Sequence, residues 1–198
     1  MKVVESFVIN KKQHIDIVVP ENKCNYYYKP TDQISKFDEV LVVYKDEERD
    51  IVIGSEMIDM VIEDLRDACL RILNSEAALP DSLSIGSVGY QYNLTAKNEG
   101  FSDLYLSICL WSGKLKHTFL YEKNGKIYLE IASTYPWLFE ESKQDRQFVP
   151  FEEFMKSYKS TVLEISDKSV VQTWLSQCEQ LLSIITANHA QRLKDKAL

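Results

Sequence analysis

Thirty acidic residues and three histidines are the groups in this 198-residue chain that could carry acid–base chemistry. Such catalysis needs a histidine poised beside a carboxylate in a cleft, and no motif pairs His14, His117 or His189 with one. Cys24, Cys69, Cys109 and Cys178 are widely dispersed, without a C-x-x-C pair or a histidine at ligand spacing. That pattern points to reduced, core-filling thiols and not to zinc. The chain carries no G-x-S-x-G elbow, no phosphate-binding G-x-x-x-x-G-K or G-x-G-x-x-G loop and no H-E-x-x-H pair. Gly86-Ser87-Val88-Gly89 is the nearest approach to a glycine loop. Its setting in a strand-like stretch predicts a bulge or a close backbone approach, with a phosphate cradle as the alternative. No catalytic residue, metal or cofactor is assigned.

The acids themselves are unevenly placed. Residues 38 to 67 hold eleven acids (Asp38, Glu39, Asp46, Glu47, Glu48, Asp50, Glu56, Asp59, Glu63, Asp64, Asp67) against Lys45, Arg49 and Arg66, a net of −8. The rest of the chain, nineteen acids against twenty bases, sums to +1. Asp46, Glu47, Glu48 and Asp50 crowd one turn, while Asp59, Glu63 and Asp67 follow each other at i, i+4 and i+8. On a helix that spacing sets like charges on one face, where each pair costs a few tenths of a kcal/mol. A negative surface of this kind suits a basic protein partner, steering its approach and fixing its orientation. It also suits a plain solvated face, since acids near a helix N-terminus favour the macrodipole and a low pI aids solubility. The run from Asp46 to Asp50 has neither the spacing nor the glycine of an EF-hand loop.

Tyr26-Tyr27-Tyr28 and the pair Tyr90/Tyr92 could form stacking platforms for single-stranded nucleic acid, but such binders carry a basic footprint. A net charge of −7 with no Lys/Arg cluster beside those tyrosines argues against it. As strand residues two apart, Tyr90 and Tyr92 are expected to share a core or interface face.

The elements that must position these groups follow from hydrophobic periodicity. Val3 to Ile9, Ile15 to Val19, Cys24 to Tyr28, Val40 to Tyr44 and Ile51 to Ile53 read as strands, bounded by polar turns. Ile58, Val61/Ile62, Leu65, Cys69 and Ile72/Leu73 recur at three and four, predicting a helix over 56–74 with Ser55 as N-cap. Further β segments are expected near Leu83 to Thr95, Asp103 to Trp111, Leu115 to Glu122 and Lys126 to Ser133. Asn124-Gly125 marks a type I′ hairpin between the last two. Pro136, Pro150 and the charged stretch Glu140 to Arg146 mark a long loop before a short helix, Phe151 to Tyr158. Ser169 and Gln172 form an S-x-x-Q capping box ahead of the stripe Val171, Trp174/Leu175, Cys178, Leu181/Leu182 and Ile185, so a helix runs from about Val170 to beyond Ala187. With no internal repeat and no Gly/Ser linker, residues 1–198 are expected to form one α+β domain, a mainly antiparallel sheet with two long helices and a short one packed on it. The longest apolar run, Val40 to Tyr44, is far short of the ~20 residues of a membrane span, and the N-terminus has no apolar core of a signal peptide. A cytoplasmic protein is expected.

The run Gly125-Lys126-Ile127-Tyr128-Leu129-Glu130-Ile131, then Tyr135-Pro136-Trp137, and Trp174 early in a C-terminal helix, resembles small bacterial immunity proteins that neutralise polymorphic or contact-dependent toxins. The likeness spans the C-terminal third to half of the chain. It implies a non-enzymatic cytoplasmic protein that binds one cognate toxin domain, and it transfers no contact residues. Those come from charge: Asp46, Glu47, Glu48 and Asp50 in the turn with Asp59, Glu63 and Asp67 on the helix, and secondarily the aromatic Trp137 and Phe139. Two other classes stand beside it. One is a small enzyme whose carboxylate/histidine site is assembled from distant segments; the other is a scaffold that self-associates through exposed aromatics.

Overall fold

A computed structural model describes residues 1–20, 33–98, 103–113, 115–138 and 147–196. Strands β1 (Lys2–Asn10), β2 (Gln13–Val19), β3 (Glu39–Lys45) and β4 (Asp50–Met57) form one antiparallel sheet in sequential order. Helix α1 (Ile58–Leu73) follows β4 without a loop, and α2 (Val88–Asn98) and α3 (Asp103–Ile108) come next. A second antiparallel sheet takes β5 (Cys109–Ser112), β6 (Lys116–Lys123), β7 (Lys126–Ser133) and β8 (Ser160–Ile165), with α4 (Phe151–Lys156) before β8 and the long α5 (Lys168–Lys196) closing the chain.

The class is α+β and antiparallel, as the pattern predicts, with the strands shared between two sheets. One continuous core joins them. It runs from Phe7, Ile15, Ile17, Val40 and Val42 through Ile62, Leu65 and Cys69 of α1 to Phe119, Leu129 and Ile131, and is closed by Val171, Trp174, Cys178 and Ile185 of α5. The outer edge of β1 is covered by α5: Trp174 Nε1 donates to the Val8 carbonyl at 2.9 Å and Gln177 Nε2 to that of Ser6 at 3.2 Å. Those bonds occupy groups that an exposed edge strand would offer to another chain.

Several local expectations are corrected. The segment Leu83 to Thr95 is not a strand: a turn over 84–87 leads into α2. Tyr90 and Tyr92 therefore do not share a face, and Tyr92 is buried while Tyr90 is exposed. Most of Asp103 to Trp111 is α3, with only its end in β5. Ser55 is a β4 residue, and α1 begins after Met57 with no side-chain cap; the Asp38 carbonyl instead accepts the Ile58 N–H at 2.9 Å. At α5 the cap is Asp167, whose carboxylate accepts the Ser169 N–H at 2.7 Å and the Ser169 hydroxyl, so Ser169 is a donor to the cap. Strand β8 has no counterpart among the expected elements. The hairpin is as predicted, with Asn124 and Gly125 at φ of 53° and 74°. Cys24 to Tyr28 and Glu140 to Arg146 lie outside the described residues.

Candidate functional site

The acidic turn joins β3 to β4, and it is built largely from its own charges. Asp46 accepts the N–H groups of Glu48 and Arg49, both at 3.0 Å, and Arg49 Nε at 3.2 Å. The Glu48 N–H in particular holds its carboxyl below the usual range. Asp46 is thus the side chain that shapes the turn, as aspartates do where they bond their own backbone two residues on. Glu47 pairs with Lys12 at 3.0 Å and Asp50 with Lys45 at 3.5 Å. Glu48 is exposed, and Arg49 reaches across to the Thr161 hydroxyl of β8 at 3.3 Å.

The helix row is less uniform than its spacing suggests. Four residues overshoot a full helical turn, so a row at i, i+4, i+8 slides off one face. Glu63 and Asp67 are exposed, but Asp59 has turned toward the core. It is half-buried, and its Oδ1 is covered and has no hydrogen-bond partner. Met60, Glu63, Asp67 and Leu70 form the outward stripe instead, at steps of three, four and three, and the exposed Glu56 of β4 stands just ahead of it. Asp64 stands beside it, its carboxyl raised by desolvation and then by the Asp67 charge. Arg66 bonds Asp67 at 2.8 Å and is the nearest compensation.

Turn and ridge lie at opposite ends of β4, eight residues or about 26 Å of strand. Among the described residues no ion pair or hydrogen bond joins them. Trp137 packs into an aromatic cluster, its ring 5.6 Å from Tyr135 and 5.4 Å from Phe148, and is half-buried. Phe139 lies outside the described residues.

The histidines do find partners. His14 and Asp16, two apart on β2, come within 3.6 Å, a pairing that strand periodicity could have revealed. Asp16 is buried and is also held by the Ser6 hydroxyl at 2.5 Å and Lys45 at 3.3 Å, which marks it as a structural carboxylate. His117 sits between Thr134, 2.5 Å from Nδ1, and the Tyr92 hydroxyl, 3.2 Å from Nε2; burial pushes its pKa down to about 4. No carboxylate touches it among the described contacts. His189 packs against Phe37. Among the described residues no group of His, Cys, Asp or Glu could hold a metal ion.

One buried carboxylate escaped the sequence. Glu130 of β7 is fully buried, and its oxygens accept the N–H groups of Gly89 at 2.9 Å and Val88 at 3.4 Å and the Tyr121 hydroxyl at 2.9 Å. Burial raises its pKa. The start of α2 is therefore an anion cradle filled by the protein's own side chain, and the close approach expected at Gly86 to Gly89 is real: a Cβ on Gly89 would stand 2.1 Å from that of Ala132. The signal available was a glutamate inside the apolar run Ile127 to Ile131.

No protein-family model matches this chain, and no curated protein matches it. Among solved structures, CdiI from Burkholderia dolosa AUO158 superposes with a TM-score of 0.46 at 13% identity, covering 84% of this chain and 95% of that one. No described helix is long and apolar enough to cross a membrane.

Proposed function

We propose that this chain is an immunity-type protein that binds a basic toxin domain through its acidic surface and blocks it. The observation that carries this reading is the confinement of the whole excess negative charge, −8, to residues 38–67, with Glu48, Glu56, Glu63, Asp64 and Asp67 exposed to solvent. A field of one sign over the ridge formed by Glu56, Glu63, Asp64 and Asp67 raises the encounter rate with an oppositely charged protein and orients it. The resemblance of residues 125–131, 135–137 and Trp174 to immunity proteins supplies the partner class. The half-buried Trp137 is a secondary contact in this proposal, together with Phe139.

The test takes the protein encoded by the gene beside this chain's own and asks first whether a domain of it is toxic when expressed alone. Co-expression with this protein should relieve the domain's toxicity, and association should slow sharply with salt while dissociation changes less. Glu63→Lys with Asp67→Lys should weaken binding at low salt at least tenfold and move unfolding by under about 0.5 kcal/mol, as surface substitutions do. Affinity unchanged in that double variant would reduce the ridge to a solvated face.

A further inference from the structure

The loop leading into β3 holds an aromatic residue where the backbone favours glycine. Ser35 to Asp38 is a tight turn closed by the Asp38 N–H to the Ser35 carbonyl at 3.2 Å, and Phe37 fills its third position at φ of 67°. That position in a turn is the usual seat of glycine or asparagine, because a Cβ crowds the backbone there. Burial does not explain the choice: Phe37 is 57% exposed. The surrounding structure fixes the turn firmly. The buried Asp38 carboxylate accepts the Ser35 N–H at 2.8 Å and Arg192 Nη1 at 3.1 Å, and α5 adds Asn188 to the Ile34 carbonyl at 2.7 Å and Arg192 Nη2 to that of Gln33 at 2.5 Å. The Phe37 ring rests edge-on against His189, 5.3 Å between centroids, and leaves its other surface in solvent.

Three other exposed apolar side chains are related to Phe37 by a helix step or by strand register. Leu193, 56% exposed, is one turn beyond His189 on α5. Met57, 37% exposed, pairs with Glu39 two residues after Phe37, and Met60, 45% exposed, is one turn further into α1. The exposed acids Glu56 at the end of β4 and Glu63 and Asp67 on α1 start beside Met57 and Met60 in sequence. Lys36 and Lys194 flank Phe37 and Leu193 in sequence, and Arg192 is neutralised by Asp38.

From this we infer that Phe37, with Met57, Met60 and Leu193 around it, is the apolar anchor of the docking surface, and that it enters a pocket on a protein partner whose rim is basic where it meets Glu56, Glu63 and Asp67. The inference rests on the immunity reading for the partner's class and goes beyond it in locating the contact that holds the complex together. A rigid, exposed aromatic ring beside a charged rim is the arrangement in which one side chain dominates binding energy. The charges govern arrival and the ring governs departure.

The probe is the purified C-terminal domain of the protein encoded by the adjacent gene, measured by surface kinetics against wild type, Phe37→Gly, Leu193→Ala and the Glu63→Lys/Asp67→Lys pair. Phe37→Gly should raise the dissociation rate at least tenfold and leave the salt dependence of association as in wild type. Its melting temperature should not fall, because glycine suits the positive φ. Leu193→Ala, which leaves the turn untouched, should raise the dissociation rate in the same direction. If wild type does not bind the domain, the immunity reading falls and this assignment with it. If wild type binds and both apolar variants match it, the assignment alone is overturned. A dimer in sedimentation that Phe37→Gly dissolves would give the face to a second copy of this chain and also overturn it.

Discussion

Replacing a helical glycine with alanine ordinarily stabilises a protein, yet Gly89→Ala should do the reverse here. In a helix interior the exchange favours folding by up to about 1 kcal/mol, because the unfolded chain loses freedom. Gly89 is the second residue of α2, and its Cα faces β7 so closely that a Cβ would lie 2.1 Å from Ala132 Cβ and 2.6 Å from the Tyr158 hydroxyl. Ordinary contact begins at 3.4 Å, so the two β-carbons would have to part by more than an ångström. The Ala132 methyl belongs to a paired strand in the core and cannot swing aside, so the first turn of α2 must retreat. That retreat stretches the 2.9 Å bond from Gly89 N–H to Glu130 past any useful length. Losing a hydrogen bond to a buried carboxyl costs about 1.5–3 kcal/mol and overpacking about 1–3 kcal/mol. Set against the propensity gain, the net is a loss of about 1.5–5 kcal/mol. Urea unfolding followed by tryptophan fluorescence reads it directly, with Gly125→Ala as the comparison. Gly125, unlike Gly89, has positive φ, 74°, but a Cβ there would meet nothing within 4 Å, so its cost is only the backbone term of about 1–2 kcal/mol. A Gly89→Ala protein as stable as wild type would refute the cradle around Glu130.

Two further variants probe the frame. His117 is held neutral by burial, with a folded pKa of about 4 against an ordinary 6.5, so the unfolded chain binds the extra proton first. Its contribution is intact above pH 6.5 and is lost as pH falls toward 4, on the order of 3 kcal/mol at most, and His117→Gln should flatten the melting temperature across that window. Trp174→Phe removes the Nε1 bond to the Val8 carbonyl and should cost about 1–3 kcal/mol in urea unfolding. It should also raise light scattering on heating, because the outer edge of β1 is uncovered.

The parts of the fold that sequence discloses are those in which one periodicity decides burial. The α1 and α5 stripes and the end of β1, where Phe7 and Ile9 are buried and Val8 exposed, are of this kind, because their inward positions are almost wholly apolar. Helix α2 is different. Its buried positions are Val88, Gly89, Tyr92 and Asn93, so no apolar stripe exists to show the helix, and Gly, Tyr, Asn and Thr favour extended structure or turns. It is held by distant partners: Glu130 at its start, and Asn93, which donates to the Ser133 carbonyl at 2.9 Å and accepts the Tyr135 N–H at 2.8 Å. Such contacts leave no local trace. Likewise helical spacing puts Glu63 and Asp67 at the surface, where they are found, but the inward drift of Asp59 depends on which neighbours close over the first turn. The positive φ of Phe37 has no sequence signal at all, since neither glycine nor asparagine occupies the turn.

The same distinction separates the two acidic groups, and it sets an order on their effects. Charges more than about 8 Å apart are largely screened at physiological ionic strength, so an approaching partner senses each group with its immediate counterions included. In the turn, Asp46, Glu47, Glu48 and Asp50 stand among Arg49, Lys12 and Lys45, and little net charge is left. On α1 and at the end of β4 just before it, Glu56, Asp59, Glu63, Asp64 and Asp67 have Arg66 and the nearby Arg71 as compensation, which leaves the ridge strongly negative. Exposed ion pairs contribute little to stability, but they do cancel a field. Glu48→Lys in the turn should therefore slow association with a basic domain by less than Glu63→Lys alone does, although both are single, exposed, two-unit changes of charge. Stopped-flow association at 20 mM and 150 mM salt, conditions about 20 Å and 8 Å in screening length, would measure both. If Glu48→Lys slowed association more than Glu63→Lys, the turn and not the ridge would be the surface the partner meets first.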